Sequence, residues 1–373
     1  MFLDDITFAQ FIPDLINVLF LLTVIIIFHI RFKIKEKYFY FILLSLFMPF
    51  LFYFLWHWSL LPDQSKYVQR IYNIRNLIFE ELIFLNLFSR VDFASLLLAL
   101  FPIPFVSTIV SVTLINKGML IATVIYFISK KKYYFVVSLL LFLPSMIVIS
   151  SLALRDTLVI LVGTFFFYFF IEKKNYFKSI FYFILFLLIK PHLATISLII
   201  SIIYLIFFEK IKLKNMNKTS FFSISLVIIL FSILIFFFKD LLVQYKIGFL
   251  SEEFNYQWQE GEYAADLLSI PSSFFYFLFS PISTEIINLK NIIIFIENMF
   301  VIYLLIILLK LIYRENKLKA IFWFFTWFTL FVVFGYVLYN AGTIWRYKIQ
   351  IEIIYLSAIY FSLKKKKRNI FPF

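Results

Sequence analysis

Three cations stand where an apolar chain leaves little room for them. Arg155 (in SLALRD), Lys190 (in IKPH) and Arg346 (in NAGTIWRYK) each occupy a very short connection between two apolar stretches. Insertion scales put a charge at the centre of a bilayer helix at a cost of roughly 2.5–3.5 kcal/mol, so charges kept against apolar helices point to a use. Cations held at helix mouths suit the grip of an anion, and a guanidinium meets phosphate or carboxylate with two parallel hydrogen bonds. Each also has a local use: Arg155 to pair with Asp156, Lys190 to snorkel to headgroups, Arg346 to anchor at an interface. Lys190-Pro191-His192 is the most constrained of these places. Proline disfavours helical geometry in the residue before it, which puts a turn at Lys190. The runs on either side, Ser179–Lys190 and Leu193–Phe208, hold only 12 and 16 residues, so the turn is recessed from bulk water. A lysine in a recessed turn beside His192 is a candidate anion site. His57, between Trp56 and Trp58, belongs to an aromatic belt, and His29 to the opposite interface.

A candidate carboxylate lies in the stretch SLLPDQSKYVQRIYNIRN. Pro62 and Asp63 suit a helix N-terminus, which favours a carboxylate, and Asp63 is then presented at the membrane surface. Lys66, Tyr67 and Arg70 continue on an amphipathic helix. Further along, residues 239–273 form the one sizeable polar stretch, with Glu252, Glu253 and Glu260 interleaved with Tyr256 and Trp258. Rings stack on sugar faces and carboxylates accept hydroxyl protons, so the pattern suits sugar binding; a solvated amphipathic cap would use the same residues. Asp156 and Tyr347, beside Arg155 and Arg346, complete the candidate set. No cysteine is present, and calcium-loop, P-loop, dinucleotide and His-Glu-x-x-His signatures are missing, so no metal or cofactor is expected.

The elements that must position these residues are apolar helices. Of 373 residues, 63% are apolar and only 15% charged, against about half and a quarter in soluble domains. Disorder is excluded, and the runs lack the alternation of a transmembrane barrel. The expected fold is all-α, a single polytopic membrane domain over 1–373. Candidate spans are Phe11–Ile30, Tyr38–Leu61, Leu114–Ser129, Tyr133–Ser151, Thr157–Ile171, Ser179–Lys190, Leu193–Phe208, Ser220–Phe238, Ile292–Tyr313, Ala320–Tyr339 and Ile349–Leu363. That makes about 11 transmembrane helices. Pro102 and Pro104 interrupt Phe93–Val112, which reads as a re-entrant or interfacial segment; three crossings between Leu61 and Lys130 would satisfy parity equally.

Charge sets the sidedness. Six short connections (Arg31–Lys37, Lys130–Lys132, Glu172–Lys178, Glu209–Lys218, Arg314–Lys319, Lys364–Arg368) hold 22 of the 35 basic residues and four acids. By the positive-inside rule they are cytoplasmic, which leaves 13 basic and 17 acidic residues elsewhere. The net +14 is therefore a topology signal and an attraction to anionic membrane lipid, with no nucleic acid required. The N-terminus, with Asp4, Asp5 and Asp14, falls outside and the C-terminus inside. The outer connections 62–92, 154–156, 190–192, 239–289 and 340–348 carry the candidate chemistry, and its charges sit at one edge of the bundle.

In order, PDQSKY, SLALRD, IKPH, FYFLFSP and NAGTIWRYK resemble the motifs of bacterial O-antigen polymerases (Wzy-type) and related capsular and exopolysaccharide repeat-unit polymerases. Family members often carry Arg where Lys190 stands, which keeps the charge and loses the guanidinium fork. The resemblance implies a GT-C-like, metal-independent glycosyltransferase of the bacterial inner membrane. It would transfer a growing glycan from undecaprenyl pyrophosphate to the next lipid-linked repeat unit at the periplasmic face. Loops 62–92 and 239–289 would bind substrate, and a chain-length regulator is an expected partner. Arg155, Lys190 and Arg346 would stabilise the pyrophosphate leaving group, and Asp63 or His192, Asp63 preferred, would be the general base. Two alternatives stay open: an O-antigen ligase or lipid-phosphate-sugar transferase, and a lipid-linked oligosaccharide flippase.

Overall fold

The computed structural model describes residues 8–56, 62–76, 89–210, 270–279, 289–337 and 341–364, and every regular element among them is helical. In chain order these are α1 (Phe8–Phe32), α2 (Glu36–Trp56), α3 (Pro62–Arg75), α4 (Arg90–Ala99), α5 (Ile109–Ser129), α6 (Tyr134–Phe142) and α7 (Pro144–Ile149). They continue with α8 (Asp156–Phe167), α9 (Tyr176–Ile189), α10 (Pro191–Leu205), α11 (Ile270–Phe279), α12 (Leu289–Tyr313), α13 (Lys317–Val337) and α14 (Ala341–Ser362). Helices α8 and α10 each end in one π turn, Tyr168–Glu172 and Ile206–Lys210. Among the described residues, five helices are long and apolar enough to cross a bilayer: Ile12–Phe32, Ile109–Ser129, Pro191–Phe208, Ile292–Tyr313 and Lys317–Gly335. All of these but Ile109–Ser129 turn large apolar side chains outward (in α1, Leu15, Leu19, Ile27 and Ile30), as does α9 (Phe177, Ile180, Phe181). Patches of that size are intolerable on a soluble monomer and natural against lipid. These are the features of a membrane protein.

The chain divides within α10 into two compact units, the first running through Leu198 and the second beginning at Ile199. In the first, α5 is the hub. It packs on α1, α2, α3, α4, α6 and α8, and its buried face includes Ser111, Thr113, Asn116, Lys117 and Thr123 among the aliphatics. At 21 residues it rises about 31 Å, which separates two unlike ends.

One end gathers the basic turns. Tyr38 stacks on Tyr134 with ring centroids 5.5 Å apart, Lys35 lies over the same Tyr134 ring, and Tyr133 Oη donates to Glu172 at 2.9 Å. Connections 31–37, 130–132 and 172–178 therefore meet. Each carries one lysine in the left-handed region (Lys33 φ 49°, Lys131 φ 52°, Lys174 φ 50°). Glycine is the usual residue for such a helix exit. The chain keeps a cation there at a cost in backbone ease.

The other end is where helices break. Expected as one interrupted segment, residues 93–112 divide between α4, which stops at Ala99, and α5, which starts at Ile109, five residues before the apolar run taken to open it. Thr108 and Ser111 form a capping box that begins α5 early, and Asp14 accepts from both hydroxyls. Between the helices the proline-containing backbone is held from outside. Asn17 pairs with Phe105 through both amide atoms (2.7 and 2.9 Å), and Arg75 donates to the carbonyls of Ile103 (2.8 Å) and Phe101. The expected span Tyr133–Ser151 is likewise two helices, because Pro144 forces Leu143 into extended geometry (φ −70°, ψ 121°). Helix α3 is amphipathic as expected, with Tyr67, Val68 and Ile71 buried.

In the second unit α13 packs on α11, α12 and α14. Lys319 Nζ donates to Ser362 O (2.6 Å) and Lys364 N to Glu315 Oε2 (3.2 Å), so two more of the basic connections meet. Residues 340–348, expected as a connection, are mostly helix, since α14 begins at Ala341. The polar Arg346 and Lys348 had displaced the apparent start to Ile349, although neither residue breaks a helix.

Two outcomes are expected. Gly118 on α5 lies under Phe101, and a Cβ there would fall 2.5 Å from Phe101 Cζ. Gly118→Ala should destabilise by about 1–3 kcal/mol through overpacking, outweighing the roughly 1 kcal/mol of helix propensity gained, as measured by thermal unfolding in detergent. The chain has no cysteine, so Lys131→Cys and Gln69→Cys each create a lone thiol. In sealed vesicles an impermeant maleimide should label the two from opposite sides; labelling from one side would refute the two-ended arrangement.

Candidate anion site

The turn that carries Arg155 is built on α5. After α7 the chain runs irregularly from Ser150 to Arg155, and its polar groups are met by side chains from two helices. Asn116 Nδ2 donates to the carbonyls of Leu152 (2.6 Å) and Leu154 (2.8 Å). The next residue, Lys117, is fully buried, and its ammonium donates to Ile147 O (3.1 Å), Ser150 Oγ (2.7 Å) and Ser45 Oγ (3.3 Å). Three acceptors match the three donors of an ammonium. From α3, Gln64 Oε1 accepts from Ala153 N at 3.0 Å. The chain then enters α8 with Arg155 at its N-cap position, and Arg155 O takes the first helical bond from Val159 N (3.0 Å).

Lys190 reaches the same end by a different route. Helices α8 and α9 pack side by side and are joined at the basic end through residues 173–175, so the start of α8 and the finish of α9 lie together. Lys190 ends α9 in a non-helical conformation (φ −144°, ψ 74°), its N donating to Phe186 O (2.8 Å) and its O accepting from Ala194 N (3.0 Å). Pro191 then opens α10, where its missing N–H costs nothing. Lys190 is buried and His192 half-buried.

A third cation joins from α4, which packs on both α3 and α9. Ser89 caps α4, with Asp92 N donating to its Oγ at 3.5 Å, and Asp92 forms an ion pair with Arg70 of α3 (3.3 Å). That pair ties the first residue of α4, Arg90, to its place. Arg90, Lys190 and Arg155 all bear electrostatically on the His192 ring. Three cations thus gather near one imidazole at the end of the unit away from its basic turns.

Of the residues expected from the sequence, Arg155, Lys190 and His192 are thus brought together. Asp63 is exposed in the first turn of α3, next to Gln64 and so close to the Arg155 turn. Lys66 is exposed, Tyr67 is buried in the packing of α3, and Arg70 is engaged with Asp92. Asp156 is buried at the start of α8. Arg346 and Tyr347 belong to the second unit, in the first turns of α14, where Tyr347 packs 5.4 Å from the Phe334 ring. Beside them Lys348, also buried, donates to Leu278 O and has Glu352 and Glu297 as electrostatic neighbours. Glu252, Glu253, Tyr256, Trp258 and Glu260, with most of 239–289 and the span Ser220–Phe238, lie outside the described residues.

Sequence reading missed Arg90, Gln64, Asn116 and Lys117. The signal for two of them was present, since an Asn-Lys pair inside an apolar run is itself costly. Reading Leu114–Ser129 as a plain span passed over it. Comparison with protein-family models, curated proteins and solved structures gives no match for this chain.

Asn116→Leu leaves two buried carbonyls without a donor. Each costs about 1–3 kcal/mol, so the variant should melt markedly earlier than wild type. Hydrogen exchange should rise at 152–155 more than in the basic turns; uniform exchange would show that Asn116 does not hold this turn.

Proposed function

We propose that this chain is a repeat-unit polymerase of bacterial O-antigen, capsular or exopolysaccharide assembly, working in the inner membrane. The observation that supports it is the cluster of Arg90, Arg155 and Lys190 around His192, at the end of its unit opposite the basic turns. In this reading the basic end is cytoplasmic, the cation cluster periplasmic, and the chain crosses about eleven times in a GT-C-like arrangement with the N-terminus outside and the C-terminus inside. The donor is a glycan on undecaprenyl pyrophosphate and the acceptor a hydroxyl of the next lipid-linked repeat.

The reaction breaks the bond between the anomeric carbon and the pyrophosphate oxygen and forms one to the acceptor oxygen. Negative charge grows on the departing pyrophosphate. Preorganised cations at this mouth stabilise that charge most where it is greatest, in the transition state. Arg155 and Lys190 fill this role with Arg90, and Arg346 is assigned to it on the sequence pattern. The acceptor proton passes to Asp63 or to His192; a positioned base contributes about 10²–10⁴-fold. Arg70 and Lys66 on α3, and the aromatic and acidic residues of 239–289, bind the glycan. A chain-length regulator is the expected protein partner.

A second reading has one observation in its favour. Charges were expected at one edge of the bundle, yet Lys117, Glu297, Lys348 and Glu352 are buried well inside their helices. Transporters carry such charges near the bilayer midplane, which favours a flippase for the same lipid-linked oligosaccharide.

Arg155→Ala and Arg346→Ala, expressed at wild-type level in a deletion strain, should leave polysaccharide capped with single repeats. Normal long-chain ladders from both variants refute the polymerase. Intermediate trapped on the cytoplasmic leaflet of the deletion strain would establish the flippase instead.

A further inference from the structure

Two donors at the Arg155 turn are sealed from solvent with no acceptor among the described residues: Nε2 of Gln64 and Nη1 of Arg155. Gln64 is only 3% exposed, and its other amide atom is committed, since Oε1 accepts from Ala153 N at 3.0 Å. That bond orients the amide and leaves its NH₂ as the unmet group. A buried donor without a partner is costly, and more so when charged. The cost is conspicuous here, because the carbonyls of Leu152 and Leu154 in the same turn are both met at 2.8 Å or less. Ala153 and Arg155 are two residues apart, so at most about 7 Å of backbone separates the point Gln64 holds from the residue bearing the second donor. Both groups can only donate from these atoms. What satisfies them must accept, and the guanidinium that carries one of the two donors favours an anionic acceptor.

We propose that Gln64 is a binding residue of this site: its Nε2 and Arg155 Nη1 donate to one oxyanion, a phosphate oxygen of a polyprenyl-linked pyrophosphate. The choice of ligand rests on the polymerase reading; the demand for an oxyanion rests on the two donors. Gln64 then has two tasks, holding the turn through Oε1 and the ligand through Nε2. The competing account comes from Asn116, whose Oδ1 is also buried and unmet. A water between Gln64 and Asn116 would answer both amides without any ligand.

The test uses full-length protein in phosphatidylcholine nanodiscs with farnesyl pyrophosphate as probe and farnesol as the phosphate-free control. Gln64→Glu is nearly isosteric and still accepts from Ala153 N, but it turns a negative acceptor toward the ligand. Farnesyl pyrophosphate should bind it about ten- to a hundredfold more weakly than wild type, with melting temperature and farnesol binding unchanged. Arg155→Lys keeps the charge and removes Nη1, and should lose about tenfold in the same measurement, which serves if Gln64→Glu does not fold. Wild-type affinity in either folded variant overturns the shared oxyanion, as does failure of wild-type protein to bind the probe. Ladder synthesis from a purified lipid-linked repeat separates the two levels. A Gln64→Glu enzyme that polymerises at the wild-type rate refutes the role of Gln64 and leaves the polymerase standing. Gln64-dependent binding by a wild-type protein that makes no ladder refutes the polymerase and leaves the oxyanion site standing.

Discussion

Backbone that leaves the helix inside an apolar surround must have its polar groups answered by protein, because no water is there to do it. The first unit depends on this constraint in two places. The proline-containing stretch between α4 and α5 is answered by Asn17 and Arg75, with Asp14 tying α1 to the capping residues that follow; the stretch from Ile147 to Leu154 is answered by Gln64, Asn116 and Lys117. These residues come from α1, α3 and α5, so the clamps also join the helices. Remove them and the breaks lose their reason to be where they are, along with the register of everything attached.

The candidate site follows from those breaks. Arg155 sits at the exit of one clamped turn, Lys190 at a proline-enforced turn between two helices, and Arg90 at the capped start of a ten-residue helix. None lies on a long surface loop. Each is presented by a backbone with little freedom, which is what preorganised stabilisation of a charged group requires. The opposite end is built on another principle: its lysines occupy left-handed turn positions that glycine would take more easily, so charge there has been kept ahead of conformational ease. One end uses cations as anchors, the other holds them in place beside a histidine.

Buried charge is handled differently in the two units. Lys117 is met by three neutral acceptors, two hydroxyls and a carbonyl, and acts as a tie between α2, α5 and the segment after α7. Lys348 instead has two carboxylates, Glu297 and Glu352, as electrostatic neighbours, and a carbonyl of α11 as acceptor. The first arrangement is a structural bond; the second gathers ionisable groups from two helices at a depth where such groups are rare.

Much of this was legible in the sequence, and for plain reasons. Apolar composition and long runs require helices in a membrane. Lysine-rich connections are a bias that local counting detects, and Lys190-Pro191 states its own turn because proline constrains the residue before it. Asp63 at a helix start was readable in the same way. The breaks were read less well: Pro102 and Pro104 were noticed, while Pro144 was absorbed into a hydrophobic run, and the charges of Arg346 and Lys348 hid the first two turns of α14. What the tertiary structure alone decided is which distant side chains answer the broken backbone, and therefore which cations meet. Gln64 and Ala153, or Arg90 and His192, are about a hundred residues apart. Hydrophobic periodicity says that a face is buried; only packing says against what, because a hydrogen bond between distant segments leaves no periodic trace in either of them.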